Sequence, residues 1–271
     1  MTGNWSDLNR RLVSAAILLA IGAVLAISTG VLLRLGIAVI VALTFWELAR
    51  LTGWRYPDLH ADPLGQHRPI ALAVIAGVSL FLGLSFFPSM ALLLLLVPVL
   101  AGLPGAVAKD RVSYALFGTA IMLVGYELVV LREAMGLHEI LWIMGIVVLS
   151  DVLGYFVGRV VGGPKFWPSL SPKKTWSGTI AGWVAAAAFG LVLWLGGLAP
   201  FSVVILSPLI CLAGQMGDIA ESWLKRRAGV KDSSNLIPGH GGFMDRFDAV
   251  TGAVLAVFVL RMAGLLPQIG A

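Results

Sequence analysis

Between Asp218 and Asp248 the stretch DIAESWLKRRAGVKDSSNLIPGHGGFMDRFD sets Asp218, Glu221, Asp232, Asp245 and Asp248 among Lys225, Arg226, Arg227, Lys231 and Arg246 within 31 residues. Bare carboxylates would repel a phosphate that the basic side chains attract. Interleaved around the turn-prone Pro238-Gly239-His240-Gly241-Gly242, the two sets together describe a site that handles polyanions through a bound metal. A solvated loop is the plainer alternative, but it gives no reason for Asp218 to stand four residues before the Ser222 hydroxyl and seven before Lys225. A continuous helix here puts Asp218, Glu221, Ser222 and Lys225 on one stripe leading from membrane to water. Mg²⁺ keeps waters and takes one or two carboxylates together with substrate phosphates, so its ligands must come from more than one element. Asp245 and Asp248, one turn apart where the last apolar run begins, are the natural second contributors. His240-Gly241-Gly242, just before them, offers flexible backbone whose amides can approach a phosphate near a helix N-terminus.

A second polar block, SDVLGYFVGRVVGGPKFWPSLSPKKTWSG, runs from Ser150 to Gly178. Asp151 falls within a helix close to its polar end, with Tyr155 one turn later on the same face. Gly154 and Gly158, four apart, allow another helix to come close. Ser171-Pro172-Lys173-Lys174-Thr175 then places two ammonium groups and two hydroxyls just ahead of the next apolar run. Such lysines commonly set topology. On the same membrane face as Asp218 to Asp248, they can instead help enclose a phosphate-binding cleft.

The elements that must position these blocks are membrane helices. Of 271 residues, 59% are hydrophobic and 12% charged, against about 25% charged in soluble domains. The single cysteine, Cys211, excludes a disulfide framework and a cysteine metal site. A net charge of +5 suits topology and anionic headgroups better than nucleic acid. The N-terminus reads as a retained first span rather than a cleaved signal. Runs long enough to cross about 30 Å of hydrocarbon fall near 12–29, 31–50, 70–87, 89–107, 112–131, 140–158, 178–197, 201–220 and 249–267, which predicts nine helices. With the N-terminus inside, all but Arg34, Arg132 and Arg261 of the 19 lysines and arginines fall on the cytoplasmic side, and the C-terminus lies outside. The expected division is a scaffold over 1–139 and a catalytic region over 140–271 with polar loops 159–177 and 221–248, the two forming one integrated membrane domain.

Ionisable groups at membrane depth are costly and therefore candidates for function. Glu47 lies near a cytoplasmic helix end and is expected to snorkel toward Arg50 or Arg55. Glu127, deeper, is open between pairing with Arg132 and lining a polar cavity. His60, His67 and His138 lack ligand spacing and read as solvated.

Ser222-Trp223-Leu224-Lys225-Arg226, then Lys231-Asp232, then Ile237-Pro238-Gly239-His240-Gly241-Gly242-Phe243-Met244-Asp245-Arg246-Phe247-Asp248 resembles the signature of phosphatidate cytidylyltransferases, the CDP-diacylglycerol synthases, over 27 residues of fixed spacing. Ser150-Asp151, Tyr155-Phe156-Val157-Gly158-Arg159 and Ser171-Pro172-Lys173-Lys174-Thr175 are similar to that family's other polar block, so the resemblance covers the C-terminal half. The family commonly has an acidic residue where this chain has Ser177, and often Ala where it has Gly154.

The resemblance implies an all-α polytopic enzyme of a bacterial-type inner membrane. It would join CTP to phosphatidic acid, giving CDP-diacylglycerol and pyrophosphate, with Mg²⁺ alone or with a second cation. Asp218, Asp245 and Lys225 are the expected catalytic residues, with Asp218, Asp245 and Asp248 on metal. Asp151, Lys173, Lys174, Ser222, Arg226, Lys231, Asp232, His240, Gly241, Gly242 and Arg246 are the expected substrate contacts. His240 orients rather than acts as base, because a phosphate nucleophile is already ionised near neutral pH. The expected partners are the two substrates and membrane lipid, without nucleic acid; a homodimer is left open. Alternatives are another CTP-dependent lipid enzyme, such as an ether-lipid CDP synthase or a polyprenol kinase, and an ion-coupled transporter, whose acids should instead be spread along a pathway.

Overall fold

A computed structural model describes residues 3–53 and 68–270. The helices are α1 (Gly3–Ile27), α2 (Gly30–Leu51), α3 (Arg68–Ser85), α4 (Ala91–Leu94), α5 (Leu96–Gly102), α6 (Arg111–Val130) and α7 (Leu137–Val160), followed after a short hairpin by α8 (Trp176–Leu195), α9 (Ser202–Arg227) and α10 (Met244–Met262). Among the described residues, eight segments are long and apolar enough to cross a membrane: Arg10–Ile27, Gly30–Leu51, Arg68–Ser85, Pro88–Gly105, Ala108–Met135, Leu137–Val160, Trp176–Leu195 and Ser202–Arg227. They match the first eight expected spans closely. The chain is an all-α polytopic membrane protein.

Local chemistry explains the boundaries. Gly30 has φ +62, which a residue without Cβ adopts freely, and this lets α2 begin directly after α1. The fourth span is broken between α4 and α5 because Pro98 has no N–H for the Leu94 carbonyl. The ninth helix departs from expectation. It starts at Met244 rather than 249 and stops at Met262, so its first turn carries Asp245 and the next residue, Arg246. The cause is Asp245, whose carboxylate reaches back to the Gly242 N–H at 2.8 Å and starts the helix inside the polar block.

Among the described residues, a two-stranded sheet lies between α7 and α8. β1 (Lys165–Trp167) pairs antiparallel with β2 (Ser171–Thr175). Pro164, Pro168 and Pro172 rule out a helix there, and Phe166 packs edge-on to Trp176 at 4.7 Å.

Contacts divide the chain into two compact units, 1–129 with 224–247, and 130–223 with 248–271. The first unit thus groups the 224–247 segment with the N-terminal helices. In the first unit α2 packs along α3, and Phe45, Leu48, Leu80, Tyr114 and Met122 form a fully buried core. In the second, α7 lies along α8 where Gly154 and Gly158 face Gly178. A Cβ at 154 would stand 3.2 Å from the Gly178 carbonyl, so the glycine here serves that close crossing. Deeper in this unit, the buried Trp142 donates to Ser207 Oγ at 2.9 Å.

Candidate active site

In the second unit α9 and α10 cross on small residues. A Cβ on Gly217 would collide with the Asp248 carbonyl and Gly252, and one on Gly252 with the Ala213 carbonyl. This crossing delivers Asp248 to the α9 stripe. Asp218, Glu221 and Asp248 each offer a carboxylate oxygen, and the three lie within 4.8 Å of one another. Oxygens on opposite sides of Mg²⁺ stand about 4.2 Å apart, and those around Ca²⁺ about 5 Å. The group therefore fits a hard divalent cation with little adjustment. Ser222 Oγ donates to Asp218 Oδ1 at 3.4 Å, and the Lys174 ammonium is ion-paired with Asp218 Oδ2.

Beside Lys174 opens a cavity of about 600 Å³ walled by α7, the hairpin and α8. Asp151, Tyr155, Arg159, Lys165, Lys173 and Lys174 supply its charge and aromatic surface, while Ser150, Thr179 and Gln215 line it further in. Adjacent strand residues point to opposite faces; Lys173 is exposed and Lys174 half-buried. The strand end is pinned, because Thr175 Oγ1 accepts from the Gly178 N–H at 3.2 Å as the N-cap of α8. Ser177 Oγ donates to the Gly162 carbonyl at 2.5 Å, so this departure from the family pattern has a local use. Arg159 Nη1 donates to Tyr155 Oη at 2.8 Å. The cavity thus gathers Asp151, Lys173 and Lys174 as expected and adds Arg159, Lys165 and Tyr155.

The first unit holds the 228–243 loop by two buried carboxylates. Glu47, fully buried on α2, accepts from Ser234 Oγ at 2.5 Å and Phe243 N at 3.0 Å on Oε1. Its Oε2 accepts from Ser233 Oγ at 3.1 Å and Met244 N at 2.7 Å. The expectation that Glu47 snorkels toward Arg50 or Arg55 is therefore corrected. Four loop donors satisfy it instead; Arg55, with His60 and His67, lies outside the described residues. Asp245 accepts on Oδ2 from Ser233 N and Gly242 N, each at 2.8 Å, and on Oδ1 from Lys225 Nζ at 2.6 Å; the single Ser233 hydroxyl proton is shared between Asp245 Oδ2 at 2.9 Å and Glu47 Oε2. Burial pushes the Asp245 carboxyl up, but the Lys225 bond and charge with the two backbone N–H donors outweigh it and hold it below the usual value. That contribution to stability is present at neutral pH and disappears only as pH falls through the lowered value. Gly242 has no room for a Cβ, which would strike Ser233 Oγ and the Glu47 carboxylate.

The remaining expected contacts lie on or near this loop. Lys231, Asp232 and Arg246 are exposed. Arg246 Nε donates to the His240 carbonyl at 3.1 Å, and Arg226 Nη1 to the Val230 carbonyl at 3.0 Å. Among the described residues, buried His240 Nδ1 has no hydrogen-bond partner. Arg227 donates to Asp110 at 2.5 Å and so ties the loop base to the start of α6. Glu127 is fully buried and His138 exposed.

Sequence reasoning put Glu221 on one stripe with Asp218 but did not count it among the candidate metal ligands. It also missed Glu47, whose partners lie 186 to 197 residues away.

Fold and site together define a polytopic membrane protein with a metal-competent carboxylate group beside a cation-lined cavity. Over residues 9–263 the chain matches the model of the cytidylyltransferase family, and it belongs to that family. It is 43% identical over 129 residues to a phosphatidate cytidylyltransferase of Brucella abortus (strain 2308), covering 47% of this chain and 48% of that protein. To the phosphatidate cytidylyltransferase of Staphylococcus saprophyticus it is 34% identical over 167 residues, 59% of this chain and 62% of the relative. With that of Helicobacter pylori the figures are 39% over 127 residues, 46% and 47%. In these matches the chain spans about half to three-fifths of the relatives' length.

Proposed function

We propose that the protein is a phosphatidate cytidylyltransferase, joining CTP to phosphatidic acid to give CDP-diacylglycerol and pyrophosphate. One observation carries the reading. A carboxylate group able to take a divalent cation is ion-paired through Lys174 to a cavity rich in cations. That pairing of charges suits a reaction between two polyanions.

A phosphate oxygen of phosphatidic acid attacks the α-phosphorus of CTP, the new P–O bond forms, and the α–β bridging bond breaks with pyrophosphate leaving. Such transfer depends mainly on positioning and neutralisation of charge. Asp218, Glu221 and Asp248 would hold Mg²⁺, which supplies charge neutralisation at the phosphates. Asp245 Oδ1, engaged by the Lys225 ammonium, is the candidate for a second cation. Arg159, Lys165, Lys173 and Lys174 offset substrate charge in the cavity, with Asp151 and Ser222 as polar positioners. By the family resemblance, Lys225, Arg226, Lys231 and Arg246 are further candidates to offset substrate charge, with Asp232 and the backbone at His240-Gly241-Gly242 as polar positioners. The excess of Lys and Arg in the loops supports a cytoplasmic position for these groups, with the N-terminus inside.

The test is pyrophosphate release from CTP by purified protein with Mg²⁺ in mixed micelles, with the lipid product followed in parallel. Release that depends on phosphatidic acid and matches CDP-diacylglycerol formed supports the reading. Absence of both from a folded sample overturns it.

A further inference from the structure

Lys174 belongs to two places at once. Its side chain lines the cavity, yet its ammonium is held by Asp218, one of the three clustered carboxylates. Its backbone is fixed on one side by the pairing of Thr175 with Lys165 and by the α8 cap. The flexible four-carbon stem, 27% exposed, is therefore the part free to move. A divalent cation among Asp218, Glu221 and Asp248 would bring two positive charges against the ammonium and compete with it for the Asp218 carboxylate.

We propose that Lys174 is the resident counter-cation of the carboxylate group, and that metal binding displaces it into the cavity, where it becomes a ligand for a substrate phosphate. The proposal rests on the metal reading above. It makes Lys174 a positioning residue that couples the two sites: the cavity gains its innermost cation only once the metal is in place. Linkage is reciprocal, so the ammonium must weaken metal binding by the same factor by which metal weakens the ion pair. Lys173 lines the same cavity but is exposed, and the ion pair to Asp218 is made by Lys174, so Lys173 takes no part in this exchange.

Mn²⁺ titration of the purified, substrate-free protein in detergent, with free Mn²⁺ read by electron paramagnetic resonance, tests the coupling. Lys174→Met should bind Mn²⁺ about tenfold more tightly than the unaltered protein, within the usual range of coupling between sites, and Lys173→Met should leave affinity unchanged. A second readout needs no variant. Acylation of lysines on the unaltered protein, followed by mass spectrometry, should show Lys174 labelling rise with Mn²⁺ relative to Lys173. Equal or weaker Mn²⁺ binding by Lys174→Met, with Lys174 labelling indifferent to metal, overturns the coupling and leaves the metal site standing. If the unaltered protein binds no Mn²⁺, the metal reading falls and the coupling falls with it.

Discussion

Two groups of acidic side chains in this molecule have opposite surroundings. Glu47 is ringed by donors, two hydroxyls and two backbone N–H groups, so each oxygen is fully occupied in organising a loop. Asp218, Glu221 and Asp248 are instead drawn together by a helix crossing on glycine, carboxylate against carboxylate within 4.8 Å. Backbone amides around a carboxylate make a scaffold, because the donors are fixed and nothing need be exchanged. Like charges gathered together make a site, because their mutual repulsion is relieved by an exchangeable partner, a bound cation or a proton. Asp245 stands between the extremes, one oxygen given to the loop and the other to a lysine.

The contrast can be broken most sharply at Asp218. Asp218→Asn should lower turnover about 10²–10³-fold, the scale of losing one preorganised electrostatic group, while thermal unfolding in detergent stays near that of the parent. Activity close to the parent's would remove Asp218 from the metal group. At Glu47 the order should invert. Glu47→Gln must turn an amide NH₂ toward either the Phe243 or the Met244 N–H, leaving a buried donor unsatisfied at about 1–3 kcal/mol. Faster tryptic cleavage after Lys231, with Mn²⁺ affinity retained, is the expected result; an intact loop would show that the four bonds are dispensable.

Gly217→Ala probes the crossing itself. Its methyl group would press on the Asp248 carbonyl and cost about 1–3 kcal/mol as overpacking, so both the melting temperature and Mn²⁺ affinity should fall. A variant that keeps metal affinity would separate the group from the crossing. The smallest effect belongs to the cavity rim. Arg159→Gln and Lys165→Gln should each raise the apparent KM for a substrate severalfold with kcat nearly kept, since an exposed charge contributes about 1 kcal/mol or less. Unchanged KM values for both substrates would return these cations to topology.

Much of this was legible in the sequence, for reasons specific to its parts. The eight spans follow from apolar length, and both polar blocks stand out against them. Asp218 and Asp248 were marked by spacing from helical neighbours. What sequence hid depends on long-range packing. Glu47 has Arg50 one turn away in the chain, and nothing local tells that its donors come from residues 233–244. The helix crossing that selects Glu221 needs Gly217 and Gly252 face to face, thirty-five positions apart. The hairpin was obscured because β1 and β2 are too short for an alternating pattern, although the three prolines spaced four apart were a usable signal.

The most direct test of the division between site and scaffold is Mn²⁺ binding by Glu221→Gln beside Glu47→Gln, both measured on folded protein in the same detergent. Glu221→Gln should weaken binding about 10–100-fold, whereas Glu47→Gln should bind as the parent does. Parent-like binding by Glu221→Gln, or loss of binding in Glu47→Gln with the fold intact, would contradict that division.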